Sequence, residues 1–155
     1  MIASYEDEDN QEKLRAPSLY ALPQSHKHLP EMAKVCGLDH APVFCPIVAP
    51  YYAGMEVTVP LTPAESSASL EEIKAIYRDY YQSGLIRFTE GSDESGLLSA
   101  GTFAGRDDLE VSVYGNEERI LLVSRFDNLG KGASGAAIQN MNIVLGLDEE
   151  TGLVI

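Results

Sequence analysis

The sequence is short of positive charge and of cysteine, and it lacks a long hydrophobic run. There are 11 Lys and Arg residues against 24 Asp and Glu residues, which gives a formal net charge of −13. Because nucleic acids and anionic membrane surfaces attract cationic proteins, this balance argues against both as partners. No segment approaches the roughly 20 apolar residues of a membrane-spanning helix.

The two cysteines, Cys36 and Cys45, are too few for a disulfide framework, so a reducing cytoplasm is the expected location. Both follow apolar neighbours and are predicted to be small core residues rather than nucleophiles. The N-terminal segment MIASYEDEDN is acidic, unlike a signal or transit peptide. A chain of 155 residues suits one domain and is short for a dinucleotide-binding domain plus a catalytic domain.

The pattern of elements predicts an α+β fold, with a mixed, largely antiparallel sheet and flanking helices. We expect residues 1–155 to form a single domain, with an acidic N-terminal segment at 1–15 that forms a marginal helix or a frayed end. A short helix is predicted over 30–36, with two histidines just before it. Residues 42–61 predict two strands, the first of them buried.

The second half of the chain carries clearer signals. A capping box at Ser69 begins a helix that ends at Gly84, and a short strand is expected over 85–89. The Gly- and Ser-rich residues 91–105 predict a loop. Alternating residues on either side of Gly115 and Asn116 predict a hairpin of strands 109–114 and 119–126, and a final helix is predicted over 128–146.

A pair of histidines is the first candidate site. His26 and His28 lie two positions apart, and Glu31 follows three positions after His28. Imidazole titrates near neutral pH, so such a pair suits proton transfer, and in an extended chain both rings would face one side. Two other interpretations stay open: a solvated helix start with incidental histidines, and a metal site formed by the two histidines with a carboxylate, for which His40 is the only further histidine.

A glycine-rich segment is the second candidate. Residues 130–135 match G-x-G-x-x-G between a predicted strand and a predicted helix, a pattern of dinucleotide sites. Such a site also needs a further strand that ends in an acidic residue, and the sequence after Gly135 does not supply it. The small residues therefore predict close packing of this helix against another backbone.

These two segments together resemble the N-acetyl-γ-glutamyl-phosphate reductase family. Residues 26–32, HKHLPEM, match the family pattern H-x-H-x-P-E-[IM]. Residues 127–142, DNLGKGASGAAIQNMN, match D-N-L-x-K-G-A-x-G-x-A-x-Q-x-x-N without a gap. The resemblance extends from about Tyr20 to the C-terminus. The two motifs, including HKHLPEM and GKGASGAA, are similar to those of the short-chain subfamily.

The resemblance implies an activity and an architecture. The family reduces N-acetyl-glutamyl 5-phosphate to N-acetyl-glutamate 5-semialdehyde with NADPH, in arginine biosynthesis. Its second domain resembles the C-terminal domain of glyceraldehyde-3-phosphate dehydrogenase. The family's Rossmann domain and its S-x-P-G-C nucleophile motif are not in this sequence, so we expect an inactive substrate and dimerisation fragment. The family's sheet contact implies a homo-oligomer, for which strands 109–114 and 119–126 are candidates, and helix 128–146 would dock on the Rossmann domain.

The resemblance also implies residue roles. It makes His28 the catalytic acid/base, His26 a substrate-positioning partner and Glu31 a group that orients a ring. Substrate contacts are expected from Tyr20, Lys27 and Arg106, and NADP contacts from Asn128, at the nicotinamide carboxamide, and Lys131. Ala53 stands where many members carry a phosphate-clamping arginine, for which Lys27 and Arg106 are candidate substitutes.

Two other functions stay open on the sequence alone. One is an autonomous dimerisation or binding module that uses the same fold. The other is a metal-dependent hydrolase with His26, His28 and Glu31 at its centre.

Overall fold

The computed structural model describes Glu6, residues 14–82 and residues 84–155. The predicted acidic segment 1–15 therefore lies outside the described residues, apart from Glu6, Leu14 and Arg15. The chain divides into two compact units, one reaching to Tyr51 and the other spanning Tyr52–Ile155. The expectation of a single domain stays a prediction. Among the described residues, every helix is too short or too polar to cross a membrane.

The first unit contains one helix and a pair of short strands. Strand β1 (Ser18–Leu19) pairs antiparallel with β2 (Ile47–Val48), and helix α1 (His28–Cys36) lies between them in sequence. Helix α1 begins two residues earlier than predicted. It ends as predicted at Gly37, whose φ of 65° is a left-handed conformation that glycine adopts without a steric penalty.

The apolar residues ahead of β2 do not form the predicted buried strand. Val43, Cys45 and Cys36 are all exposed to solvent, so the prediction that the cysteines are core residues is wrong. Pro42 and Pro46 explain the difference, because proline has no N–H to donate to a neighbouring strand. Without a ladder on both sides, Val43 and Cys45 stay at the surface.

The second unit contains the predicted mixed sheet. Its strands are β3 (Met55–Leu61), β4 (Ile86–Phe88), β5 (Leu109–Asn116) and β6 (Arg119–Phe126), in the order β3-β6-β5-β4. The β3–β6 and β6–β5 pairs are antiparallel and the β4–β5 pair is parallel, which confirms the α+β fold class.

Helix α2 (Leu70–Tyr80) covers one face of this sheet. Its predicted capping box is present, with the Glu72 N–H donating to the Ser69 hydroxyl and the Glu72 carboxylate accepting from the Ser69 N–H. Ile73 packs on Val113 and Ile120, and these three side chains form a buried apolar cluster. The helix predicted from its apolar spacing thus packs on the two strands predicted from their alternation, through Ile73.

The hairpin of β5 and β6 turns two residues later than predicted. Its loop is Glu117–Glu118, and the Asn116 side-chain oxygen accepts from the N–H groups of Glu118 and Arg119, at 3.0 Å each. Gly115 has a φ of 116°, and the Arg119 carbonyl oxygen occupies the place that a Cβ would take. Glycine is therefore required inside the strand rather than at the turn.

The predicted loop 91–105 lies across the other face of the sheet and includes a 3₁₀ turn, Ala100–Phe103. Arg125 of β6 holds it there, because its Nη2 donates to the Ser92 carbonyl at 3.2 Å. The same guanidinium binds the Glu110 carboxylate of β5, Nη2 to Oε1, at 2.8 Å. Both members of this ion pair are buried.

The chain ends in a helix and a tail that folds back. A π-helical turn, Gly130–Ser134, leads into α3 (Gly135–Leu145), so the predicted final helix is present with a distorted first turn. The buried Asn142 amide donates to the carbonyls of Glu149 and Thr151, at 3.1 and 2.9 Å. These bonds hold the tail against α3.

Candidate functional site

The two histidines lie on a helical turn rather than on the extended segment that the sequence predicts. Lys27 has φ −56° and ψ −27°, and His28 is the first residue of α1. Pro30 tolerates this earlier start because N–H groups in a first helical turn have no intrahelical partner. The turn still brings the imidazoles together, with ring centroids of His26 and His28 4.6 Å apart.

The backbone distinguishes the two imidazoles. The His28 N–H donates to Nδ1 of His26 at 3.3 Å, so neutral His26 carries its proton on Nε2. His28 Nε2 lies 4.0 Å from a Glu31 carboxylate oxygen, and its side chain is 48% exposed. His28 is therefore the imidazole that combines solvent access with a neighbouring carboxylate, as a proton-transfer group requires.

Aromatic rings surround the histidines within the first unit. The Phe44 ring lies 5.2 Å from His26 and 6.3 Å from His28, and Tyr20 lies 6.0 Å from His26. Gln24 fixes Phe44 through two bonds: its Nε2 donates to the Phe44 carbonyl at 2.7 Å and its Oε1 accepts from the Phe44 N–H at 2.9 Å. Gln24 and Phe44 are missed by sequence reasoning, since no spacing rule links residues 20 apart.

The remaining predicted residue of this unit is Lys27, which lies between the histidines and is exposed. The metal alternative can be checked over residues 14–82 and 84–155. There, no three His, Cys, Asp or Glu side chains come together in a way that would hold a metal ion. Proton transfer is the chemistry that the arrangement of His28 and Glu31 itself offers.

The predicted residues of the second unit lie around Asp127, which follows β6. Its buried carboxylate accepts from the N–H groups of Gly105, Leu129 and Gly130, at 2.5, 2.6 and 2.9 Å. Burial acts to raise the pKa of Asp127, but the three N–H donors outweigh it and the pKa is lowered. Sequence reasoning assigned Asp127 only a place in a motif, and the structure makes it the link between two loops.

We expect the stabilising effect of Asp127 to depend on pH. Because its folded pKa is lowered, its contribution is complete above its unfolded pKa of about 3.9 and is lost as pH falls through the folded pKa. Asp127→Asn should therefore cost about 1–3 kcal/mol of unfolding free energy at pH 7 and progressively less below pH 4. Urea unfolding from pH 7 to pH 3 measures this, with the exposed Asp39→Asn as control; a cost independent of pH contradicts the prediction.

Asn128 adjoins Asp127 and contacts a third loop. Its side-chain oxygen accepts from the N–H of Gly54, which precedes β3, at 2.9 Å. Gly54 is buried with a φ of 115°, and the Ala100 carbonyl oxygen occupies the place of a Cβ. Only glycine fits here, so the acceptor side of Asn128 is held by a rigid partner.

An open depression of about 690 Å³ lies beside these residues and is named here the Asp127 depression. Residues 52–53, 104–105 and 129–130 line it, together with Asp107, Asp127 and Ser134. Ala53 thus faces a site whose charged lining residues are both carboxylates. Such a lining disfavours phosphate.

Arg106, a predicted substrate contact, binds a buried carboxylate. Its Nε and Nη2 each lie 2.7 Å from an oxygen of Asp108, which is fully buried. Arg87 contacts the same carboxylate. These two guanidinium groups neutralise a charge that would be very costly unpaired, so Arg106 has a structural task independent of any substrate.

Lys131, a predicted cofactor contact, is also engaged within the chain. Its Nζ donates to the Gln139 side-chain oxygen at 2.6 Å, and Gln139 in turn donates to Glu149 at 2.9 Å. Burial lowers the pKa of Lys131, while Glu149, Asp107 and Asp108 act in the opposite direction. The charged side chains that act on Lys131 are therefore carboxylates, and they add no positive charge to its own.

The glycine-rich segment is used for packing, as predicted. A Cβ at Gly130 would meet the Arg106 carbonyl oxygen, and one at Gly135 would meet the Asp107 carboxylate. Gly132 would place its Cβ 3.3 Å from the Asp127 carbonyl. The G-x-G-x-x-G pattern therefore reflects the close approach of the helix start to residues 106–107.

Comparison with known proteins agrees with the family resemblance. The family described as semialdehyde dehydrogenase, dimerisation domain, matches residues 3–128. The chain is 42% identical over 154 residues to N-acetyl-gamma-glutamyl-phosphate reductase of Brucella anthropi, and 41% identical to the proteins of that name from Brucella ovis and Brucella canis. Each match covers 94% of this chain and 50% of the relative, so the chain spans about half the length of these curated relatives.

Proposed function

Because the chain belongs to the semialdehyde dehydrogenase dimerisation-domain family, we propose that it is the C-terminal half of an N-acetyl-γ-glutamyl-phosphate reductase. The whole enzyme would reduce N-acetyl-glutamyl 5-phosphate to N-acetyl-glutamate 5-semialdehyde in arginine biosynthesis, in the cytoplasm. The observation that carries the proposal is the 42% identity to a reductase of that name over 94% of this chain. The proposal assigns the nucleophilic cysteine and a Rossmann domain to polypeptide outside this chain.

The proposed chemistry needs a proton donor and acceptor beside the reacting carbon. A thiolate attacks the acyl carbon and phosphate leaves, which forms a thioester. NADPH, when bound, supplies a hydride. His28 gives a proton to the oxygen of the resulting thiohemiacetal and takes it back when the aldehyde forms and the thiolate leaves. Glu31, 4.0 Å from His28 Nε2, orients the His28 ring, and His26 and Tyr20 position the substrate.

The second unit fits one end of NADPH and not the other. Asn128 offers an uncharged amide, which suits a nicotinamide carboxamide. The carboxylates of Asp107 and Asp127 line the neighbouring depression and would repel the phosphates. We therefore assign only the nicotinamide end of NADPH to this unit. The Nζ of Lys131, the other predicted cofactor contact, is bonded to Gln139.

Helix α3 supports the proposed docking on a Rossmann domain. Its side chains include apolar residues that remain exposed, namely Met141, Val144 and Leu145, and this set is named here the α3 apolar face. Their spacing of three and four residues places them on one side of a helix. A contiguous apolar surface of this kind is typical of an interface.

Val144→Asp should therefore disrupt the complete enzyme. Burying a valine is worth about 1.5–3 kcal/mol, and a carboxylate in its place would cost more. Val35→Asp is the matched control, since Val35 and Val144 are each 84% exposed in this chain. Reductase activity and the thermal midpoint of the full-length protein should fall for Val144→Asp alone. Equal behaviour of the two variants would reject the docking role of α3.

The edge strand β3 supports the proposed homo-oligomer. Met55, Val57 and Val59 share one face of this strand and are partly exposed, whereas residues 110–113 of β5 are buried inside the sheet. The sequence-based assignment of the contact to strands 109–114 and 119–126 therefore shifts toward β3. Packing of these side chains against a second subunit would remove them from water.

The experiment that tests the proposed function is an assay of the full-length polypeptide that contains this chain. We expect phosphate-dependent reduction of NADP⁺ by N-acetyl-glutamate 5-semialdehyde, which is the reverse of the proposed reaction. Residues 1–155 alone should be inactive in the same assay. Activity with other semialdehydes but not with this one would contradict the proposed substrate. Activity of the isolated chain would contradict the proposal that the nucleophilic cysteine and the Rossmann domain lie outside it.

A further inference from the structure

A side-chain amide joins two segments of the first unit beyond the ends of their paired strands. Strands β1 and β2 pair antiparallel, and a further backbone bond runs from the Tyr20 N–H to the Pro46 carbonyl at 3.0 Å. The next residue, Ala21, has a φ of 54°, which is outside the range of a strand. Gln24 then supplies a donor and an acceptor to the Phe44 backbone, at 2.7 and 2.9 Å. One side chain thus binds Phe44 in the way that a neighbouring strand would.

The backbone of Gln24 has a conformation that is costly for a residue with a side chain. Its φ of 52° lies in the left-handed region, which glycine adopts without a steric penalty. Gln24 is exposed, so burial of its side chain does not offset this cost. Strained backbone of this kind persists where the surrounding contacts require it. The glutamine side chain therefore supplies, through its bonds to Phe44, something that glycine could not.

Phe44 transmits this hold to the histidine pair. Val43 and Cys45 on either side of it are exposed, whereas Phe44 itself is partly buried. The centroid of its ring lies 5.2 Å from that of His26 and 6.3 Å from that of His28. An imidazole near the surface turns about its side-chain bonds unless a neighbour restricts it. Phe44 therefore limits the orientations that the two imidazoles can adopt.

We infer that Gln24 is a positioning residue for the proposed reaction, because it fixes Phe44 and Phe44 fixes the orientation of both imidazoles. The inference rests on the proposed function for the roles of His26 and His28. Misplacing a reacting group by about 1 Å can cost about 10²-fold in rate. Loss of the Gln24 bonds should lower kcat/KM with little effect on folding, since both bonds lie at the surface of the protein.

Gln24→Gly in the full-length protein separates positioning from stability. Glycine accepts the left-handed φ but removes both bonds to Phe44, so the thermal midpoint should change little. In the same variant, kcat/KM for N-acetyl-glutamate 5-semialdehyde should fall by about 10–10²-fold. Ala21→Gly is the matched control, because Ala21 has nearly the same φ in the same turn and its side chain ends at Cβ. This control should leave kcat/KM unchanged.

Two further comparisons test whether the effect passes through the ring and the histidines. Phe44→Leu keeps the backbone groups that Gln24 binds but removes the ring, so it should reproduce the loss of kcat/KM. In a His26→Asn background, Gln24→Gly should cost at least about threefold less than in the wild type, because the imidazole nearest to Phe44 is already gone. A purely structural role would give the same cost in both backgrounds.

Each contrary result has a definite meaning. Equal kinetics of Gln24→Gly and Ala21→Gly would overturn the inference, as would normal kinetics of Phe44→Leu. An activity loss in Gln24→Gly that merely follows a lower thermal midpoint, or that is unchanged by His26→Asn, would show a structural role instead. Wild-type full-length protein that does not turn over the semialdehyde would overturn the proposed function and this inference with it. An active wild type whose kcat/KM is unaffected by Gln24→Gly would overturn the inference alone.

Discussion

Replacing Arg125 by Ala should lower the free energy of unfolding by about 3–5 kcal/mol, which is enough to abolish stable folding of a marginal domain. The substitution leaves the Glu110 carboxylate buried without its partner, and Glu110 then receives no donor from β6. Arg125 donates to Glu110 through Nε at 3.1 Å and through Nη2 at 2.8 Å, so both bonds vanish together. Burying an uncompensated charge is among the largest costs that one substitution can impose.

Loop 91–105 would lose its attachment to the sheet together with the ion pair. The Arg125 guanidinium also donates to the carbonyl of Ser92 at 3.2 Å and of Ser99 at 3.4 Å, and it lies 5.6 Å from the ring centroid of Phe103. These contacts attach both ends of loop 91–105 to β6. Loss of Arg125 should therefore expose the polar face of the sheet as well as the ion pair.

Urea denaturation of purified variants measures this effect, and β6 offers a matched control. Arg119 is on the same strand and pairs with Glu118 at 3.0 Å, but its side chain is 70% exposed. Arg119→Ala should cost at most about 1 kcal/mol, as exposed ion pairs do. A double variant, Arg125→Met with Glu110→Leu, should recover much of the loss because it removes both charges. A cost below about 1 kcal/mol for Arg125→Ala would contradict the prediction.

The Arg125 pair shows where sequence reasoning stops. The alternation of β5 and β6 correctly predicts the hairpin that carries Val113 and Ile120, and the capping box at Ser69 correctly predicts the helix that covers them. The same alternation places Glu110 and Arg125 on the opposite face, where charged residues would be read as solvated. They are buried because loop 91–105 crosses that face, and its Gly- and Ser-rich composition predicts a loop without saying where the loop lies.

The candidate site divides in the same way. The residues proposed to carry the chemistry are local in sequence, so motifs alone suffice to predict His28, Glu31 and Asn128. The contacts that orient them are not local: Asn128 meets Gly54 across 74 positions, and Gln24 holds Phe44 across 20. The backbone conformation at Lys27 was also predicted wrongly, since the sequence indicated an extended chain and the structure has a helical turn. No periodicity encodes such pairings, since they arise only when separate elements come together.

His28→Asn in the full-length enzyme should lower turnover by about 10²–10⁴-fold, the usual contribution of a positioned acid/base group. Asparagine has a similar size and retains hydrogen-bonding groups, but it cannot carry a proton between two steps. His28 is the first residue of α1 and is half exposed, so its replacement should change the thermal midpoint little. The effect should therefore appear in kcat rather than in the amount of folded protein.

Comparison of three histidine variants assigns the roles. His26 has its Nδ1 occupied by the His28 N–H and its ring against Phe44, so His26→Asn should mainly raise KM for the acyl phosphate. His40 is exposed in the same unit, and His40→Asn should leave kcat and KM unchanged. If His26→Asn lost turnover and His28→Asn kept it, the proton-transfer role would pass to His26. Near-normal turnover in both would show that the pair is a solvated helix start, and the proton-transfer group would then have to come from outside residues 26–31.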